Sequence, residues 1–373
     1  MPSSIELTQE LVRFNTINPP GAERACAERL AGLLEEAGFA VELVPFGDGR
    51  AQVLARLGGT PGKLPLGFTG HIDTVPLGSQ PWSVDPFAAE IADGKLYGRG
   101  SSDMKSGVAA FVTACIALAG RLANTPGVLL VITAGEETGC TGAEALVSGD
   151  GKLGQVGALV VAEPTGNKPL VGHKGALWLE AEMKGVTAHG SMPEKGINAI
   201  YKAARAVAAL QEFDFNVARH DVLGAATLNV GTIQGGLNIN SVPDRAVIGI
   251  DIRTIPAQSH AQIREQLTNC LGREVTLRTL LNAKSVWTDP HHPWISEVFQ
   301  VARNVEGIGD DIGAAPYFTD ASVLTPAFGS PPTVIIGPGE LALAHQTDEY
   351  CLVSRIERAT EMYSQLVRNW CRI

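Results

Sequence analysis

Val128-Leu129-Leu130-Val131-Ile132-Thr133-Ala134-Gly135-Glu136-Glu137 is the stretch that decides the fold class of this chain. Its apolar, β-branched run is too short for a typical helix and is cut off by a glycine and two carboxylates. An unbroken run of this kind suits a strand buried on both faces, which implies a parallel sheet covered by helices. Three further runs have the same form. Residues 64–69 lead into Gly70-His71-Ile72-Asp73, residues 158–162 into Glu163-Pro164, and residues 333–336 into Gly337-Pro338-Gly339 and then His345. In sheets of this class the carboxyl ends of the strands form the ligand crevice. Two histidines and several carboxylates would therefore meet at one sheet edge, and that donor set reads as a metal site.

Working outward, residues 5–14 and 23–38 carry helical periodicity, and 40–44 and 52–57 read as strands. A glycine-rich loop at 94–100 precedes an apolar helix from about 104 to 119. After Gly175 the pattern changes to strand 176–183, helix 197–210, strands 226–233 and 246–252, helix 259–271 and strand 274–281. This β-α-β-β-α-β order is that of a ferredoxin-like α+β unit. The α/β pattern resumes with a helix near 295–305 and the strand at 333–336. The expectation is a mixed, mostly parallel α/β catalytic domain in three layers, residues 1–174 and 285–373. An inserted domain, residues 175–284, would act as lid and dimerisation element.

The chain has 373 residues, more than one hydrophobic core usually serves, so two domains are the default. With 45% hydrophobic and 18% charged residues it falls in the ordinary globular class. The net charge is −10, and no Lys/Arg cluster suggests nucleic-acid binding. No stretch reads as a membrane span, and the first residues lack the basic and apolar regions of a secretion signal. Six scattered cysteines form no C-x-x-C pair, which points to reduced thiols in a cytoplasmic setting. Any metal must then be held by histidine and carboxylate.

His71 and Asp73, two apart at a strand end, point the same way, so His71 reads as a ligand and Asp73 as the group orienting it. Asp103 stands at a helix mouth, where it could cap the helix, bridge two cations, or do both. Glu136 and Glu137 repel each other unless a cation or proton intervenes. In a strand-end turn one of them can ligate while the other faces substrate. Glu163 and His345 complete a set sufficient for two cations sharing one carboxylate. His189 precedes the first helix of the inserted domain. Gly98-x-Gly100 lacks the third glycine of a dinucleotide fingerprint, Gly62-Lys63 is followed by leucine where a phosphate loop needs Ser or Thr, and no Gly-x-Ser-x-Gly elbow occurs.

The motifs His71-Ile72-Asp73-Thr74-Val75-Pro76, Gly98-Arg99-Gly100…Asp103-Met104-Lys105, Glu136-Glu137, Glu163-Pro164-Thr165 and Gly337-Pro338-Gly339…Ala344-His345 together resemble the co-catalytic zinc deacylases. That family includes acetylornithine deacetylase, succinyl-diaminopimelate desuccinylase, aminoacylase and glutamate carboxypeptidase, and the resemblance runs from about residue 5 to the C-terminus. It implies two zinc ions, with cobalt as a substitute. Asp103 would bridge them, His71 and Glu163 would complete one site, and Glu137 and His345 the other. Glu136 would be the general base. His189 would reach across a homodimer, formed through the inserted domain, to the developing oxyanion. Asn240 and Arg253 match substrate-contacting positions. The implied reaction is hydrolysis of a small N-acyl amino acid, with the 337–350 run and Thr319-Asp320-Ala321 most like acetylornithine deacetylase. Desuccinylases, other deacylases and dipeptidases share the metal residues. A non-hydrolytic metal-binding protein would lack a base or a ligand, and here none is missing.

Overall fold

Val128–Thr133 is a strand with every residue buried. In the computed structural model, which describes residues 1–149, 153–309 and 311–373, it pairs in parallel with Leu66–His71, from Leu66↔Val128 to His71↔Thr133. Leu66–His71 pairs in parallel with Ala158–Val161, and that strand in parallel with Thr333–Ile335. The four runs that carry the candidate ligands therefore lie side by side and pointing the same way. Antiparallel strands extend the sheet on either side. Ala51–Leu57 joins Val128–Thr133 and Ala40–Pro45 follows it, while Leu170–His173 flanks Thr333–Ile335. Among the described residues the sheet has nine strands, mixed in direction with a parallel centre.

Alternation along these strands sends Leu66, Phe68, Val128, Leu130, Ile132 and Val160 into one core with Leu7, Leu30 and Val108 from three helices. Phe68 stacks on Phe111 at 5.7 Å and meets the edge of Tyr363 at 5.6 Å. Thr133 faces the other way and donates to Asp320, at the head of the helix Ala321–Ala327. Helices thus cover both faces, in three layers.

The apolar helix runs Ser106–Leu118, starting later than the sequence pattern suggests. A kinked helical turn, Ser101–Lys105, precedes it, and within that turn Asp103 (φ −118°, ψ 94°) leaves helical space. Asp103 makes no capping bond, so its carboxylate is free for other work. The whole stretch Ser101–Arg121 is long and apolar enough to cross a membrane by composition, contrary to the sequence expectation. It is instead a kinked core segment packed against the sheet, and 72% of the 18 residues that meet the composition test are buried. Gly107 brings the helix onto the strand end that carries Glu163: a Cβ there would lie 2.2 Å from the carbonyl oxygen of Ala162.

Contacts divide the chain into two units. The first comprises Met1–Gly172, Trp287–Ala314 and Thr319–Ile373, and the second His173–Val286 with Ala315–Phe318. The second unit has one antiparallel sheet in the order Thr227–Gly235, Arg245–Thr254, Gly175–Lys184, Thr276–Ala283. Its strands alternate buried and open residues, unlike those of the larger sheet, because only one face is covered. Ala246, Ile248, Ile250 and Ile252 pack there with Ala203 and Leu267 of its two helices. The helix Ala199–Gln211 starts where the Asn198 side chain accepts from the amides of Ile200 and Tyr201 at 2.8 and 3.2 Å.

Candidate active site

The parallel strand ends, the loop after the last of them and the kinked turn Ser101–Lys105 bring five donor side chains together in two trios that share Asp103: His71–Asp103–Glu163 and Asp103–Glu137–His345. His71 Nε2 lies 3.2 Å from Asp103 Oδ1 and 3.8 Å from Glu163 Oε1. His345 Nε2 lies 3.4 Å from Asp103 Oδ2 and 3.2 Å from Glu137 Oε2. Ligands about 2.1 Å from one ion in tetrahedral directions stand about 3.4 Å apart, so these spacings suit a cation in each trio. The two oxygens of Asp103 face different trios, as a bridging carboxylate requires.

The Nδ1–H of His71 donates to the backbone carbonyl of Asp73 at 2.9 Å, which turns Nε2 toward Asp103 and Glu163 and makes it the nitrogen that could ligate once the ring is neutral. The Asp73 carboxylate, expected to do this orienting, lies 3.6 Å from Nδ1. It accepts instead from the amides of Glu136 and Glu137, both at 3.2 Å, and from Asn18 Nδ2 at 2.9 Å. Asp73 therefore fixes the ring with its main chain and the Glu136–Glu137 turn with its side chain. The turn does separate the two glutamates. Glu137 joins a trio, whereas Glu136 belongs to neither and has Cys140 Sγ 3.9 Å from its Oε1.

Burial pushes Glu136 and Glu163 well above the usual carboxylate range, and neighbouring carboxylates push the same way. Glu137 is raised by burial and then by Asp103. Burial would lower His71, but its bond to Asp103 and the charges around it hold it well above its ordinary value. His345 is pushed up to about 10, first by Asp103 and then by Glu137. Burial opposes ionisation of Asp103, yet the two histidines hold it low. Left to themselves these groups must share protons to coexist. Glu137 Oε1, moreover, is buried with no hydrogen-bond partner. An orphaned carboxylate oxygen within a nitrogen-and-oxygen donor set fits two divalent cations.

Some contributors have no role assigned from the sequence. Asn18 carries no local signal for its bond to Asp73. Asp320, 2% exposed, accepts from Thr133 at 2.5 Å, and burial pushes it up to about 6. Arg99 and Glu349 are both buried and pair at 2.6 Å. Glu349 falls within the 337–350 run quoted for the resemblance, where it has no role of its own.

The second unit brings His189 and Asn240 together. His189 bridges to Ser241, and the amide of Gly190 donates to the Asn240 carbonyl at 2.7 Å. His189 Nδ1 accepts from the Ser191 amide at 3.2 Å, so the neutral ring carries its proton on exposed Nε2. Arg253 lies elsewhere. It pairs with Ala176, whereas the His189–Asn240 ladder lies beyond Arg245 at the other end of the same strand. Eight residues of strand put roughly 26 Å between those ends. Arg253 Nε is held by Asp251 at 3.0 Å.

The profile of Peptidase family M20/M25/M40 matches residues 67–369. This chain belongs to that family. A probable succinyl-diaminopimelate desuccinylase of Staphylococcus epidermidis is 30% identical, over 93% of this chain and 92% of its own. An acetylornithine deacetylase of Proteus mirabilis is 29% identical over 100% and 97%, and one of Myxococcus xanthus 31% identical over 91% and 90%. Among solved structures, the M20 metallo-carboxypeptidase Sso-CP2 of Sulfolobus solfataricus superposes with a TM-score of 0.80 at 18% identity, covering both chains fully. The YXEP protein of Bacillus subtilis, described as a dinuclear metal binding peptidase, gives 0.70 at 16%, over 99% and 98%. This M20 member is a hydrolase of amide bonds.

Proposed function

We propose that this M20 hydrolase cleaves the amide of a small N-acyl amino acid, acting as an acetylornithine deacetylase, with two zinc ions, or cobalt in their place, in the two trios. The observation that carries the metal reading is Asp103, whose two oxygens face the two trios while Glu137 Oε1 is left without a protein partner. His71, Asp103 and Glu163 would hold one ion, and Asp103, Glu137 and His345 the other. Bound there, the cations would lower the pKa of a water toward neutrality and polarise the amide carbonyl. Glu136, beside the ligands but not among them, takes the proton of the attacking water and delivers it to the leaving nitrogen. Arg253 holds the amino-acid carboxylate through paired hydrogen bonds, and Asn240 helps position the substrate. His189 offers its Nε2–H to the developing oxyanion.

The strand ends near His189 and at Arg253 lie roughly 26 Å apart, farther than a small substrate spans, which favours His189 and Arg253 of one chain serving different substrate molecules. This supports a homodimer in which His189 comes from the second copy. Exposed apolar residues on the inserted unit, Tyr201 on its helix and Ile233 on its edge strand, support the same assembly. Six free cysteines, five of them buried, fit a reducing cytoplasmic compartment.

The test is a substrate panel of N-acetylornithine, N-succinyl-diaminopimelate and dipeptides, assayed with zinc or cobalt and again with chelator. N-acetylornithine should give the highest kcat/KM, and chelator should abolish turnover. Glu136→Gln should keep two ions per chain while kcat falls about 10²- to 10⁴-fold. Chelator-resistant hydrolysis would end the metal reading, and preference for another panel member would move the substrate assignment. Mixing Glu136→Gln with His189→Ala chains should restore part of the activity if the histidine acts in trans.

A further inference from the structure

Glu349 is fully buried, and each of its oxygens accepts two hydrogen bonds. Oε1 takes the amides of Ser102 and Asp103 at 2.8 and 2.9 Å. Oε2 takes the Gly100 amide at 2.9 Å and Arg99 Nη1 at 2.6 Å. A single carboxylate thus grips the kinked turn that carries Asp103, through the Asp103 amide itself. Its own main chain is held in return, because the amide of Gly98 donates to the Glu349 carbonyl at 2.9 Å.

Arg99, also buried, extends this grip to two more segments. Its Nη1 donates to the carbonyl of Gln346, the residue after His345, at 3.2 Å. Its Nη2 donates to the carbonyl of Pro76, five residues beyond His71, at 3.1 Å. The guanidinium carbon lies 5.2 Å from the Trp82 ring centre, over its face. One ion pair therefore bonds directly to the backbones of the segments bearing His71, Asp103 and His345.

A buried ion pair is weak grounds for stability, since desolvation offsets much of the attraction and well-packed apolar residues often serve as well. What apolar residues cannot do is satisfy three turn amides and two loop carbonyls at once. We propose that Arg99 and Glu349 are positioning residues that set the geometry of both trios together, with Asp103 as the shared point of control. This inference rests on the two-cation reading of the site, and it assigns neither residue any contact with cation or substrate.

Glu349→Gln keeps the shape of the side chain but turns one acceptor into a donor against the turn amides. Arg99→Lys keeps the charge and loses the fork. Cation affinity is read by titrating zinc into chelated protein against a competing indicator. Thermal unfolding is followed with and without the ion, so that the rise in Tm on binding isolates affinity from the stability of the metal-free fold. Both variants should bind both ions about 10- to 100-fold more weakly, the loss usual when groups supporting ligands are removed. The zinc-induced rise in Tm should shrink accordingly. Glu137→Gln, which alters one trio directly, should weaken one ion far more than the other. Wild-type affinity for two ions in either folded variant, or an unchanged rise in Tm, overturns the proposal. Should Glu349→Gln not fold, Arg99→Lys alone decides. A wild-type protein that binds no zinc would refute the two-cation reading instead, so the two failures are distinguishable.

Discussion

His345 has φ 64°, a left-handed conformation that a non-glycine residue adopts only when its surroundings impose it. Its side chain is 52% exposed, against 1% for His71. His345→Ala should therefore remove one ion and leave the trio of His71, Asp103 and Glu163 able to hold the other. Metal analysis after dialysis should give about one ion per chain instead of two. The same charges predict opposite responses to pH with and without metal. The pKa of His345 in the folded protein, about 10, lies above its ordinary 6.5, so its ion pairs stabilise the metal-free fold fully below 6.5 and fade as pH climbs toward 10. Glu136 and Glu163 are also raised, so their contribution is full at acid pH and lost as pH climbs past the ordinary carboxylate range. Asp103 is lowered, and its contribution is lost only in strong acid. Chelated protein should thus lose Tm between pH 6.5 and 10. The zinc-induced gain should grow over the same interval, because cations compete with protons for these ligands. A flat Tm for chelated protein across that interval would contradict this arrangement of charges.

At the scale of elements, the close approach of Ser106–Leu118 to the strand end before Glu163 depends on Gly107. Gly107→Ala puts a methyl 2.2 Å from the Ala162 carbonyl oxygen, and either the helix or the strand end must shift. The expected cost is about 1–3 kcal/mol in urea unfolding, accompanied by weaker binding of the ion that Glu163 serves. Loss of stability without any change in metal binding would mean that the shift is absorbed away from Glu163. The four ligand-bearing strands were legible because burial on both faces forces continuous apolar runs. The start of the helix was not. Periodicity places it near residue 104, whereas Glu349, nearly 250 residues away, holds the amides of the preceding turn out of helical pairing. Local sequence carries no sign of a long-range acceptor.

For the whole molecule, every member of the two trios lies in the first unit. Leu170–His173 and Val286–Trp287, which flank the inserted segment, are neighbours in one sheet and can be joined by a short linker. A chain with residues 174–285 replaced by glycine and serine should still bind two ions, by metal analysis, yet hydrolyse no member of the substrate panel. Turnover by that chain would show that His189, Asn240 and Arg253 are dispensable.

The sequence by itself determined which side chains could meet a cation, because apolar runs ending in glycine, proline, histidine and carboxylate constrain both strand and chemistry within a few residues. It also marked the change of pattern near Gly175, since a sheet covered on one face alternates where a sheet covered on both does not. Only the tertiary structure decided what holds those side chains in place. Asp73 grips the turn that carries Glu136 with its carboxylate and orients His71 with its carbonyl. Arg99 and Glu349 bind loops distant in sequence, and Arg253 stands at the far end of a strand from His189. Hydrogen bonds from buried charges to remote backbone groups depend on how segments pack, and residue order alone does not encode which amide a carboxylate will find.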